Sequence, residues 1–194
     1  MINRPNYLNQ LIAFKDKESI KVITGIRRCG KSSLLTLYAD YLKQQGTKEE
    51  NIIQINFEDL KYDNITYKDL NDLVVEKLNN TKEKIYLLFD EIQKIEKWEL
   101  AINSLRLNPQ TDIYITGSNA YMLSGELATL LSGRYVEISM LPLSFNEFLE
   151  FYKFDPNITK EEKFNTYLKI GGMPGLTIYN FNEQMINQTL EGIF

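Results

Sequence analysis

Residues 20–35 read IKVITGIRRCGKSSLL and hold Gly25, Gly30, Lys31 and Ser32 in the spacing G-x-x-x-x-G-K-[ST]. Ile20, Val22 and Ile23 run apolar into the first glycine, as a buried strand does. After the second glycine, Leu34, Leu35, Tyr38, Tyr41 and Leu42 recur on one face of a helix. The stretch therefore predicts strand, glycine loop and helix in succession. A helix N-terminus leaves its first backbone N–H groups unpaired and carries a partial positive charge. A loop of Gly25, Ile26, Arg27, Arg28, Cys29, Gly30, Lys31, Ser32 and Ser33 can then cradle phosphate oxygens, with Lys31 reaching the β- and γ-phosphates of ATP and the Ser32 hydroxyl facing Mg2+. The competing reading is a plain glycine turn with a surface lysine.

Composition bounds what such a loop could serve. The chain has 194 residues, 43% hydrophobic and 25% charged, enough for one globular domain with a full core. No apolar run approaches the roughly 18–20 residues of a membrane span. The first residues lack the pattern of a signal peptide, so the expectation is a cytoplasmic protein. The one cysteine, Cys29, rules out a disulfide framework or a zinc cluster, and the absence of histidine leaves a carboxylate as the available general base. A net charge of −4 argues against a surface devoted to nucleic acid, although Arg27 and Arg28 add positive charge beside the loop.

The second strong signal is the segment 83–90, EKIYLLFD, a nearly unbroken apolar strand that ends in Asp90 and is followed by Glu91. Apolar strands are also read at 51–57, 112–116 and 135–139, separated by helical stripes such as Leu70, Leu73, Val74 and Leu78, or Trp98, Ala101, Ile102 and Leu105. Thr66 with Asp69 marks a helix start as a capping box. Continuous apolar strands alternating with helices predict an α/β fold with a parallel sheet covered on both faces, and ligands of such sheets bind at the carboxyl ends of the strands. Asp90 and Glu91 then share an edge with the glycine loop. In that setting Asp90 is expected to hold Mg2+ and Glu91 to orient and polarise an attacking water, the competing reading being a strand that simply ends in two solvated acids. After the strand 112–116 come the small polar residues Gly117, Ser118 and Asn119. Resemblance to P-loop ATPases with an extra strand between the loop strand and the acid-bearing strand implies a γ-phosphate or water sensor here, Asn119 foremost and Thr116 and Ser118 after it, with helix capping as the competing role. Asn56, ending the second strand, is either a latch on Glu91 or, the preferred reading, a turn cap.

Before the loop, Tyr7, Leu8, Leu11, Ile12 and Phe14 suggest a short structural helix. Leu127, Leu130 and Leu131 suggest another, stopped at Ser132 and Gly133 ahead of Arg134. Beyond Leu141 the character changes. Ser144 with Glu147, and Thr159 with Glu162, open two helices, Leu143 and Phe148 are placed as a hydrophobic staple, and the run 171–175, GGMPG, breaks the chain. The division expected is a core at 1–141 and a helical extension at 142–194, lid-like or leading to a further domain.

The pieces GIRRCGKSSLL, LLFDEIQ, TGSNAYMLSGEL, LSGRY, LPLSFNEF and GGMP together resemble a widespread prokaryotic family of AAA-type ATPases. The resemblance implies a three-layer P-loop NTPase of the ASCE type with a mainly parallel five-stranded sheet in the order 5-1-4-3-2. It also implies a C-terminal domain related to restriction-endonuclease-like folds, absent from this chain. Carried over, Lys31 and Ser32 match the Walker A pair, Asp90 and Glu91 the Walker B pair, and Arg134 the arginine that reaches a neighbouring subunit's ATP, which makes a homo-oligomer the expected partner. A salt bridge or a helix C-terminal cation is the structural alternative for Arg134. Cys29 stands where alanine or glycine is more usual, and would make the loop oxidisable or sensitive to alkylation if exposed. The leading reading is Mg-dependent ATP hydrolysis. A nucleotide-dependent switch with negligible turnover is the main alternative. A small-molecule kinase is disfavoured by the Asp-Glu pair and the lack of an Arg-rich lid, and a GTPase by the lack of an N-K-x-D signature.

Overall fold

The computed structural model describes residues 4–117, 131, 133–152, 154–179 and 182–192. Five strands, β1 (Ile20–Gly25), β2 (Ile52–Asn56), β3 (Ile85–Asp90), β4 (Thr111–Thr116) and β5 (Tyr135–Met140), form one sheet. Their order is β2-β3-β4-β1-β5 and each pairing is parallel. Seen from the other edge this is the order 5-1-4-3-2. β4 thus lies between the strand that feeds the glycine loop and the strand that ends in the acids.

Strands apolar on both faces need cover on both, and alternate residues of each strand supply two separate cores. Ile85, Leu87 and Phe89 of β3 pack with Leu70, Val74 and Leu78 of α3 (Tyr67–Asn79) and with Ala101, Ile102 and Leu105 of α4 (Trp98–Leu105). Tyr86 and Leu88 face the other way, into Leu34, Leu35, Tyr38 and Leu42 of α2 (Lys31–Gln44) and Leu11 of α1 (Pro5–Ala13). Each fully buried leucine here contributes about 1.5–3 kcal/mol relative to exposure. The expected capping box at Thr66 is present, with Asp69 N–H donating to Thr66 Oγ1 at 3.2 Å and Thr66 N–H donating to Asp69 Oδ2 at 2.9 Å. β2 is shorter than the segment 51–57: Asn51 closes a 3-10 turn before it, and Phe57 N–H donating to Asp90 O at 3.0 Å is the last bond of its ladder with β3.

After β5 the chain builds α5 (Phe145–Phe151), α6 (Lys160–Ile170), a 3-10 turn (Pro174–Tyr179) and α7 (Glu183–Glu191). α5 and α6 both begin at the expected capping boxes. Leu143, Phe148, Tyr152, Ile170, Met173, Leu176 and Ile186 make a third core, against which Ile26 of the glycine loop also packs. Gly172 is required by a close approach: a Cβ there would lie 2.3 Å from Leu143 O, where the backbone bonds back through Leu143 N–H to Gly172 O at 2.6 Å. Burial alone would raise the Glu147 carboxyl, but Arg4 and the Ser144 cap hold it below its ordinary range.

Lys21, in the middle of the apolar run of β1, has no place in the sequence pattern. Its side chain is fully buried on the α1–α2 face, donating to Asp112 Oδ1 at 2.5 Å and to Lys17 O at 2.7 Å. Asp112 Oδ2 accepts from Asp16 N–H at 2.8 Å and from the Tyr114 hydroxyl at 3.0 Å, and Tyr114 in turn meets the Tyr38 hydroxyl at 2.5 Å. Burial pulls the Lys21 ammonium below its ordinary value against the opposing field of Asp112. Breaking such a pair leaves an uncompensated buried charge. Asp112→Ala is expected to lower the unfolding free energy by about 3–5 kcal/mol, measured by urea denaturation. A loss below about 1 kcal/mol would show that Lys21 escapes to solvent.

Candidate functional site

The glycine loop leaves β1 at Gly25, whose φ is +148° and whose Cβ, if present, would lie 2.4 Å from Met140 O on the neighbouring strand. Only glycine lets the chain turn there. Arg28 (φ +66°) and Gly30 (φ +105°) are left-handed, and Cys29 N–H closes a turn onto Ile26 O at 3.3 Å. Gly30 is the N-cap of α2, with no capping side chain and no acid in the first turn, whereas α3, α5 and α6 each carry a capping box. The first-turn donors of α2 therefore stay available to an anion. Lys31, only 5% exposed, folds back over the loop and donates to Gly25 O at 3.0 Å and Ile26 O at 3.2 Å. An ammonium has three N–H groups, so one remains for a phosphate oxygen. Ser32 and Ser33 are exposed on the first turn, and Arg27 and Arg28 are exposed beside it.

Register brings the acids to the same edge. Ile23 of β1 pairs with Thr116 of β4, and Phe89 of β3 pairs with Ile115. Asp90 and the glycine loop are thus two strand spacings apart, about 10 Å. Thr116 is fully buried between them. Its hydroxyl donates to Asp90 Oδ1 at 2.5 Å and accepts from Glu91 N–H at 3.0 Å. Glu91 has a left-handed backbone (φ +54°), which turns its side chain out of the strand line, and its carboxylate accepts a short hydrogen bond from the Gln93 amide.

Of the three polar candidates after β4, Asn119 and Ser118 lie outside the described residues, and so do Leu127, Leu130 and Ser132. The third candidate, Thr116, is the one that touches both acids. Asn56 does not reach Glu91. Its Oδ1 accepts from Glu58 N–H at 2.8 Å, the turn-capping role, and Gln93 takes the position next to the carboxylate. Gln93 carries no local signal beyond its place two residues after Glu91. Arg134 is exposed at the start of β5, where its carbonyl accepts from Ile20 N–H at 2.9 Å and its Nη1 donates to Asn103 Oδ1 at 3.3 Å. That is the opposite end of β1 from Gly25, roughly 17 Å along the strand. Cys29 is fully buried, and burial pushes its thiol up from 9.0 despite Lys31 and Arg4, so exposure to oxidants or alkylating reagents is corrected to shielding.

The donor set fits Mg2+. Among the described residues, the Ser32 hydroxyl and the second carboxylate oxygen of Asp90 make no hydrogen bond, and no group of three metal-binding side chains forms a closed cage. Mg2+ is usually held by one or two protein oxygens together with substrate phosphates rather than by such a cage.

Loop, acids and strand order define a P-loop NTPase domain with an additional strand between its two phosphate-handling strands. An AAA-domain family model matches residues 17–149, and the chain belongs to that family. It is 51% identical over 196 residues to an uncharacterised protein of Haemophilus influenzae, covering 100% of this chain and 48% of the relative. It is 38% identical over 189 residues to an uncharacterised protein of Methanocaldococcus jannaschii, covering 90% of this chain and 41% of the relative. The chain thus spans about half the length of these relatives or less. Among solved structures it is similar to C. elegans PCH-2 (TM-score 0.58, 14% identity, 98% of this chain and 70% of that one). It is also similar to AMPPCP-bound DnaA from Aquifex aeolicus (TM-score 0.53, 16% identity, 100% of this chain and 64% of that one). At such identities the likeness is one of fold. Family and loop geometry agree on nucleotide binding. No helix among the described residues is long and apolar enough to cross a membrane.

Thr116 is the joint between the acids, and removing its hydroxyl strands the buried Asp90 oxygen. Thr116→Val is expected to cost about 1–3 kcal/mol of stability, and Thr116→Ser less than about 1 kcal/mol. Denaturant unfolding of both variants checks this, and equal losses would assign the effect to packing.

Proposed function

We propose that this chain binds Mg-ATP and hydrolyses its terminal phosphoanhydride, as a module that drives or gates a C-terminal domain beyond its own length. The observation that carries the reading is the Thr116 hydroxyl, which fixes Asp90 and Glu91 together at the sheet edge that bears the glycine loop. A passive nucleotide holder has no need of the second carboxylate.

In this reading the backbone N–H groups at Gly30, Lys31 and Ser32 bind the phosphates, and Lys31 draws charge onto the γ-phosphate. Ser32 and Asp90 would hold Mg2+, which would neutralise negative charge on the phosphates. Glu91 orients a water and accepts its proton as the oxygen attacks the γ-phosphorus. The bond to the β–γ bridging oxygen breaks, and ADP departs with the electron pair. Asn119 and Thr116 are assigned the role of γ-phosphate sensor in this reading.

Two observations favour a slow-turnover switch for the isolated chain. The Gln93 amide occupies the Glu91 carboxylate, and Arg134 stands at the far end of the sheet from the chain's own loop. An arginine so placed completes the site of a neighbouring copy in a homo-oligomer, where it offsets charge on the transferring phosphoryl group. Nucleic acid is a less favoured partner, because the net charge is −4.

Lys31→Ala is expected to abolish calorimetric Mg-ATP binding, and unchanged binding would overturn the phosphate assignment. Glu91→Gln should keep ATP affinity while phosphate release falls at least ~100-fold; normal turnover would remove Glu91 from the mechanism. Mixing Arg134→Ala chains with Lys31→Ala chains should restore phosphate release in mixed oligomers, because each mixed interface can pair an intact loop with an intact arginine. Mixed assemblies that stay inactive would leave Arg134 a structural residue.

A further inference from the structure

Arg4 belongs to none of the motifs above, yet it is 4% exposed and all five of its guanidinium N–H groups find acceptors. Nε and Nη2 form a two-pronged pair with Glu147 Oε1 and Oε2 at 2.8 and 3.0 Å. Nη1 donates to Leu141 O at 2.8 Å, and Nη2 donates to Pro142 O at 3.2 Å. The last N–H, on Nη1, goes to Cys29 O inside the glycine loop, at 3.3 Å. The guanidinium also lies over the Tyr7 ring, 4.5 Å from its centroid, which adds a contact across its plane to the hydrogen bonds within it.

The contact with Cys29 matters because of what lies on the other side of that peptide. The Cys29 carbonyl and the Gly30 N–H share one planar trans peptide, so they point in opposite directions. Holding the oxygen on Arg4 aims the Gly30 N–H away from the guanidinium. Arg28, the residue before this peptide's first residue, and Gly30, its second, are both left-handed, a conformation that a non-glycine residue such as Arg28 keeps only when its surroundings enforce it. A cation on the carbonyl also polarises the peptide and strengthens its N–H as a donor.

We propose that Arg4 is a positioning residue of the nucleotide loop, setting the Cys29–Gly30 peptide so that the Gly30 N–H meets a phosphate oxygen. The inference rests on the nucleotide reading of the loop and adds to it a residue 21 positions upstream of the first loop glycine. The same guanidinium holds α5 through Glu147, so the loop and the helical extension share one anchor.

The test uses Arg4→Lys and Arg4→Ala, with Val74→Ala as a control for destabilisation. Val74 is buried in the core on the other face of the sheet, away from the loop. Lysine keeps the charge but lacks the planar fork that serves Glu147 and Cys29 together. Both Arg4 variants should raise the Kd for a fluorescent ATP analogue, mant-ATP, about tenfold. Both should also speed amide exchange over residues 26–34 in nucleotide-free protein. Val74→Ala should lower the unfolding midpoint with Kd within about twofold of wild type. Wild-type Kd and exchange in the Arg4 variants would overturn the proposal, as would a Kd rise in Val74→Ala as large as theirs. If Arg4→Ala does not fold, Arg4→Lys decides. A wild type that binds no mant-ATP overturns the nucleotide reading, and loop exchange then decides whether Arg4 holds the peptide.

Discussion

In a sheet whose strands all run parallel, every strand delivers its last residue to the same edge, and the candidate site depends on that constraint. Gly25, Asp90 and Thr116 end β1, β3 and β4, and the parallel registers place them side by side although 65 residues separate the glycine from the aspartate. A single antiparallel pairing among the three would send one of them to the far edge. The parallel arrangement is itself forced by composition: strands apolar on both faces must be covered on both, and the crossover helices α2, α3 and α4 supply the cover.

β4 is pinned at both ends by buried polar contacts. At its start Asp112 holds Lys21 of β1, and at its end Thr116 holds Asp90 of β3. The two do different work. The ion pair fixes the register of the loop strand against β4 in a place where water cannot compensate a mismatch. The threonine fixes the acids against the same strand. Together they transmit one alignment across three strands, from the glycine loop to the carboxylates. On the other side of β1, Thr24 donates to Glu137 of β5 at 2.6 Å, so the loop strand is tied by side chains to both of its neighbours.

The helices that follow β5 meet the glycine loop from behind. Ile26 packs against its core, and Arg4 joins the Cys29 carbonyl to Glu147 at the start of α5. The loop is therefore held on the outside by the extension and on the inside by Lys31, whose ammonium binds the Gly25 and Ile26 carbonyls. Among the described residues, Arg134, at the opposite end of the strands, is the expected site residue that the fold directs away from the chain's own loop.

What was legible in the sequence was local. The glycine spacing, the apolar strands and the three capping boxes at Thr66, Ser144 and Thr159 each depend on residues within a few positions of one another; the capping boxes form where the pattern places them, and the strands form within a residue or two of their expected bounds. Strand order was reached through family resemblance rather than from periodicity, which says nothing about which strands become neighbours. Contacts between distant residues were not legible. Arg4 and Glu147 are 143 residues apart, and Lys21 and Asp112 are 91 apart, so no local period marks either pair. Thr116 ranked behind Asn119 because its role depends on where β4 ends relative to β3, a matter of register between separate segments. The sequence by itself determined the elements and the chemistry each could carry, because backbone geometry and capping act over one or two turns. The tertiary structure alone decided which side chains meet, because that follows from crossovers and pairings that bring distant segments to one edge.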